Sequence, residues 1–100
     1  MSLRFINTAE AKKLADQGAA LVDIREPHEY AQASIPGSHN MPLSQLAGAK
    51  VADDSPVVFY CLSGGRTRMN ATALSQLTKA PVYIMDGGII AWKAAGLPLR

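Results

Sequence analysis

The residues best suited to chemistry are Cys61 and Arg66, near the end of the segment Val57-Val58-Phe59-Tyr60-Cys61-Leu62-Ser63-Gly64-Gly65-Arg66-Thr67. Cys61 is the only cysteine and closes an apolar run, and a helix-like pattern begins just past the loop. Gly64 and Gly65 lack a Cβ, so the loop can curl and turn its N–H groups inward as an anion-binding nest. A helix starting near Arg66 adds unpaired N–H groups and a positive dipole end. Arg66 brings a permanent charge on a planar fork suited to oxyanions. A free cysteine titrates at about 8.5, and surroundings of this kind lower that to roughly 3.5–7.5. The segment therefore reads as a thiolate nucleophile beside a pocket for an anion. By composition alone, a lone cysteine ending an apolar strand is most often a small buried hydrophobe. The glycine pair, the arginine and the helix start argue for the reactive thiol.

These residues need a scaffold, and helical and strand signals alternate along the chain to supply one. Phe5-Ile6 reads as a short edge strand. Asn7-Thr8-Ala9-Glu10 resembles a capping box for a helix carrying Ala11, Leu14 and Ala15 and stopped at Gly18. Ala20 to Ile24 reads as a buried strand, and Pro27 begins a short helix through Tyr30. Ile35-Pro36-Gly37 and Met41-Pro42 punctuate an extended connection, with a short helix over Leu43 to Leu46. Val57 to Tyr60 shows no polar alternation, as suits a central parallel strand covered on both faces. The next helix is expected to bury Met69, Ala73 and Leu77, with Leu74 beside them. Val82 to Met85 is another buried strand, and Asp86-Gly87-Gly88 turns into a last helix with Ile89 and Trp92, ended at Gly96 and Pro98. Such alternation predicts an α/β fold with a mainly parallel central sheet between two helical layers. In such a sheet ligands bind outside the carboxyl ends of the strands, where Cys61 falls.

Composition sets outer bounds. One hundred residues make a single domain spanning 1–100, with Met1-Ser2-Leu3 reading partly as a cloning remnant. The net charge of +2 is weak and its lysines and arginines are scattered, so neither nucleic acid nor a membrane surface is an expected partner. A single cysteine excludes an internal disulfide, and two histidines argue against a closed zinc site. No metal and no cofactor are expected. The first residues lack an apolar signal region and no run is long enough to span a bilayer, so a cytoplasmic location is expected.

The order of motifs points further. The chain resembles the single-domain rhodaneses, a sulfurtransferase family whose active loop runs Cys-x4-Arg, as Cys61 to Arg66 does. The resemblance includes Val22-Asp23-Ile24-Arg25 with Glu29-Tyr30, and Ile35-Pro36-Gly37-Ser38-His39-Asn40-Met41-Pro42. It closes with Asp86-Gly87-Gly88-Ile89-Ile90-Ala91-Trp92 and Gly96-Leu97-Pro98. Ser34 departs from the histidine that many relatives carry before the Ile-Pro-Gly turn. The resemblance implies a rhodanese-like three-layer α/β/α fold and a catalytic Cys61 that becomes a persulfide. It further implies that Leu62, Ser63, Gly64, Gly65 and Thr67 stabilise the anionic sulfur while Arg66 orients the donor. The partners would be a small anionic sulfur donor such as thiosulfate and an acceptor, cyanide or a thiol. Some close-looking bacterial relatives continue into two transmembrane helices, and the chain is also similar to the rhodanese domain of such membrane-anchored sulfurtransferases.

Two other readings compete. Cdc25-type phosphatases share the architecture but place five residues between cysteine and arginine, whereas only Leu62, Ser63, Gly64 and Gly65 intervene here. A non-catalytic redox-sensing or sulfur-binding module is the other, since thiolate character also governs oxidation. Elsewhere, Asp23 and Arg25 are expected to form a stabilising ion pair or turn hydrogen bond rather than to bind substrate, His28 to be solvated, His39 to make a core hydrogen bond rather than to shape the pocket, and Trp92 to pack in the core. Thr67 is a candidate hydrogen-bond partner of the sulfur, and Arg68 either adds positive potential or is solvated.

Overall fold

A computed structural model describes residues 2–100. Five strands, β1 (Leu3–Ile6), β2 (Ala20–Asp23), β3 (His39–Asn40), β4 (Val57–Tyr60) and β5 (Val82–Met85), form one sheet in the order β1-β5-β4-β2-β3. Every pairing among them is parallel. The helices are α1 (Thr8–Asp16), α2 (Pro27–Gln32), α3 (Gly65–Met69), α4 (Ala71–Ser75) and α5 (Gly88–Ala94), with a 3-10 turn at Leu43–Gln45. Among the described residues no helix is long and apolar enough to cross a membrane.

Local chemistry accounts for most of these boundaries. Glu10 N–H donates to Asn7 Oδ1 at 2.8 Å and Asn7 N–H to Glu10 Oε1 at 3.0 Å, closing the capping box of α1. Gly18 takes the left-handed conformation (φ 103) that ends that helix, and Pro27 occupies the first turn of α2. β1 is an edge strand as expected, but it begins at Leu3 because Leu3 to Ile6 pair in register with Val82 to Met85.

β4 lies at the centre and is wholly buried. Its side chains alternate between two cores. Val58 and Tyr60 join Ile6, Leu21, Ile35, Met85, Ile89 and Trp92 on the face covered by α1 and α5. Val57, Phe59 and Cys61 join Val22, Ile24, Ala71, Leu74 and Ile84 on the face covered by α4 and by Met41, Leu43 and Leu46. The thiol is thus committed to one face by the pleat of the strand.

Three expectations need correction. The connection before Pro42 contributes a fifth strand, β3, in which His39 and Asn40 pair with Val22 and Asp23. His39 is exposed on this edge strand and makes no core hydrogen bond. The helix after the loop is split at Asn70, whose side-chain amide donates to Arg66 O at 2.7 Å and competes for a carbonyl of the helical ladder. Its buried stripe is Thr67, Ala71 and Leu74; Met69 and Ala73 are exposed and Leu77 is half-buried. Thr67 sets this phase, because its hydroxyl turns inward to bond Gly64 O at 3.0 Å.

Candidate active site

Cys61 follows β4 at the carboxyl edge of the sheet, and its side chain is only 1 % exposed. The next three residues carry the chain around the sulfur. Gly64, at φ 100, takes a left-handed conformation open to glycine, and this turn brings its N–H to within 3.2 Å of Cys61 Sγ. Thr67 Oγ1 lies 3.6 Å from Sγ and donates to Gly64 O. Burial pushes the thiol up. The N–H groups of Thr67, Gly64 and Arg66 outweigh that effect and hold the thiol below its ordinary range. The loop therefore favours the thiolate through fixed dipoles aimed at one atom.

Of the residues expected at the site, Gly64, Arg66 and Thr67 bring their N–H groups to Sγ, while the Arg66 guanidinium is directed to Glu29. Leu62, Ser63 and Gly65 form the exposed outer side of the loop. Leu62 is 41 % exposed although it adjoins a buried cysteine.

Arg66 does not stand free. Its guanidinium holds Glu29 of α2 in a bidentate pair, Nη1 to Oε1 at 2.8 Å and Nη2 to Oε2 at 2.9 Å. The Arg66 guanidinium, opposed by burial, holds the Glu29 carboxylate down to about 2, helped by the N–H of Glu26. Glu29 Oε1 also accepts that Glu26 N–H at 3.1 Å, closing the N-terminal box of α2. One carboxylate thus serves both a helix cap and the arginine of the loop. Glu29 was visible in the sequence only as a motif residue, since its partner lies thirty-seven positions away.

The neighbouring strand ends are braced. Asp23 and Arg25 are both buried; Arg25 Nη2 reaches Asp23 Oδ2 at 2.7 Å and Ala33 O at 2.6 Å, the ion pair the sequence suggested. Asn40 Nδ2 donates to Asp23 O and Arg25 O, joining β3 to the end of β2. On the other side, Arg68 pairs with Asp86 at 2.6 Å and lies over the Phe5 ring, 4.4 Å from its centroid. His28 is exposed and Trp92 is buried with Nε1 donating to Pro98 O, both as expected. Among the described residues, no three histidine, cysteine or acidic side chains gather as a metal ion would need.

Known proteins resemble this chain over nearly its whole length. A sulfurtransferase from Allochromatium vinosum is 39 % identical over 92 residues, covering 89 % of this chain and 86 % of that protein. A thiosulfate sulfurtransferase GlpE from Pseudoalteromonas translucida is 32 % identical, covering 95 % of this chain and 93 % of the relative. The crystal structure of a rhodanese-related protein from Thermoplasma volcanium superposes with a TM-score of 0.85 at 31 % identity, covering 97 % of each chain. The family model of the rhodanese-like domain matches residues 7–95, from the cap of α1 to the end of α5. That span takes in the sulfur loop and both strand ends that brace it, and the chain belongs to the rhodanese-like domain family.

Proposed function

We propose that this protein is a sulfurtransferase that carries a sulfane sulfur on Cys61, from thiosulfate or a similar small anionic donor to cyanide or a thiol. The observation that supports this most directly is the convergence of the N–H groups of Gly64, Thr67 and Arg66 on a Cys61 thiol held below its ordinary range. In the first step the Cys61 thiolate attacks the outer sulfur of the donor. The new Sγ–S bond forms as the donor S–S bond breaks, and sulfite leaves with that electron pair. In the second step the acceptor attacks the outer sulfur of the persulfide and leaves as thiocyanate or as a new persulfide, while the electron pair returns to Sγ. Each stage places negative charge on sulfur inside the ring of loop amides, where fixed dipoles stabilise it without reorganising. Four intervening residues make a tighter ring than the phosphatase loop of this architecture, which suits one sulfur atom better than a phosphoryl group.

Cys61→Ser removes the carrier and is expected to abolish thiosulfate:cyanide transfer, while mass spectrometry of the unaltered protein after thiosulfate gains one sulfur atom at Cys61. Transfer that survives in Cys61→Ser sinks the proposal. Oxygen or glutathione adducts alone would favour a redox sensor, and turnover of an aryl phosphate a phosphatase. Arg66→Ala is expected mainly to raise the KM for the anionic donor.

A further inference from the structure

The Asp86-Gly87-Gly88 turn takes no part in the sulfur chemistry above, yet its backbone lies against the loop that carries Cys61. Ile89 N–H donates to Cys61 O at 2.9 Å and Ile90 N–H to Leu62 O at 3.1 Å. These are first-turn donors of α5, which a helix leaves without an internal partner, and both go to the loop. The approach is too close for any side chain. A Cβ added at Gly88 would lie 2.4 Å from Leu62 O, 2.5 Å from Cys61 O and 2.5 Å from Leu62 C, all backbone atoms. Gly87 and Gly88 are also left-handed, at φ 82 and 61. Gly64 repeats the arrangement from the loop side, since its added Cβ would lie 3.0 Å from Gly87 N. Two glycine turns, one after β4 and one after β5, meet backbone to backbone.

We propose that the Gly87-Gly88 turn and the first turn of α5 are a positioning device for the sulfur-carrying loop. In a trans peptide the C=O and N–H point in opposite directions. With the carbonyls of Cys61 and Leu62 held against α5, the N–H groups of Leu62 and Ser63 must face away from it. That orientation fixes the start of the curl which brings the Gly64 N–H onto Sγ. Gly88 and the Ile90 N–H act through the loop, as positioning groups. The inference rests on the proposed role of Cys61 as sulfur carrier.

The test is the pH midpoint of Cys61 ionisation, read from thiolate ultraviolet absorbance against a Cys61→Ser blank, together with sulfur transfer and thermal unfolding. Ile90 is 54 % exposed, so Ile90→Ala removes little, whereas Ile90→Pro deletes the N–H at a position in the first helical turn, where proline is tolerated. Gly88→Ala and Ile90→Pro are expected to raise the midpoint by about one unit, about tenfold less thiolate below it, with a matching loss of transfer. Ile90→Ala is expected to match the unaltered protein. A folded Ile90→Pro with an unshifted midpoint overturns the proposal, as does an Ile90→Ala that falls with it. If both Gly88→Ala and Ile90→Pro fail to fold, hydrogen exchange of the unaltered protein decides. An Ile90 amide protected like those of β4 supports the bond to Leu62 O, and one that exchanges as an open amide overturns it. Thiolate absorbance needs no sulfur donor, so an unaltered protein without transfer activity defeats the functional reading and leaves this comparison intact.

Discussion

The Glu29 carboxylate ties the arginine of the loop to a helix on the other side of the site. Its affinity for protons is held at about 2, below the ordinary glutamate value of about 4.3. A carboxyl depressed in the folded state stabilises the protein above its unfolded value, and that stabilisation disappears as pH falls through the folded one. The window is therefore about pH 5 to 2. Arg66 is 36 % exposed and Glu29 22 %, so solvent weakens the pair, to about 1 kcal/mol or less. We expect Glu29→Gln to flatten the decline of unfolding free energy across that window. Equal slopes in the two proteins, measured by urea unfolding at each pH, would contradict it. Cys61, Gly64, Arg66 and Thr67 were legible in the sequence because a loop of seven residues carries its geometry in local spacing. Glu29 was legible only as a motif residue beside Tyr30, since nothing local encodes either use of its carboxylate.

Among the elements, the end of β2 has the most to lose. Asp23 and Arg25 are buried together, and Asp23 Oδ1 also accepts the Arg25 N–H at 2.8 Å. Removing one partner leaves the other charge buried and alone, which costs about 3–5 kcal/mol. Asp23→Ala is expected to lose stability on that scale in denaturant unfolding, and a loss below about 1 kcal/mol would mean the pair is solvated. The strands of the interior were readable because apolar runs buried on both faces carry their own signature. β3 was not, because two residues show no period and owe their pairing to β2 alone. The phase of α3 and α4 was misread for a related reason. An apolar count favoured Met69 and Ala73, while the hydroxyl of Thr67, bound to Gly64 O, turned the helix the other way.

Across the whole molecule the sheet separates two duties. On the face of α1 and α5, Tyr60 Oη accepts the Ile35 N–H at 3.2 Å and donates to Ser38 Oγ at 3.0 Å, and burial pushes its phenol well above the usual range. Tyr60→Phe leaves the Ile35 N–H without its partner and is expected to cost about 1–3 kcal/mol. Sulfur transfer at a temperature well below unfolding is expected to stay unchanged, because Cys61 faces the other core. A fall in kcat without a fall in Tm would mean that the two faces are coupled. The alternation along β4 has one more consequence, for changes of chain length. Side chains on a strand swap faces at every residue, so the side of the sheet that receives the thiol is a question of parity. Deleting one residue between Val57 and Tyr60 would swing the sulfur into the core of Trp92 and put the Leu62 side chain in its place. Deleting two would keep the thiol on its own face and draw it back along the strand to the place of Phe59.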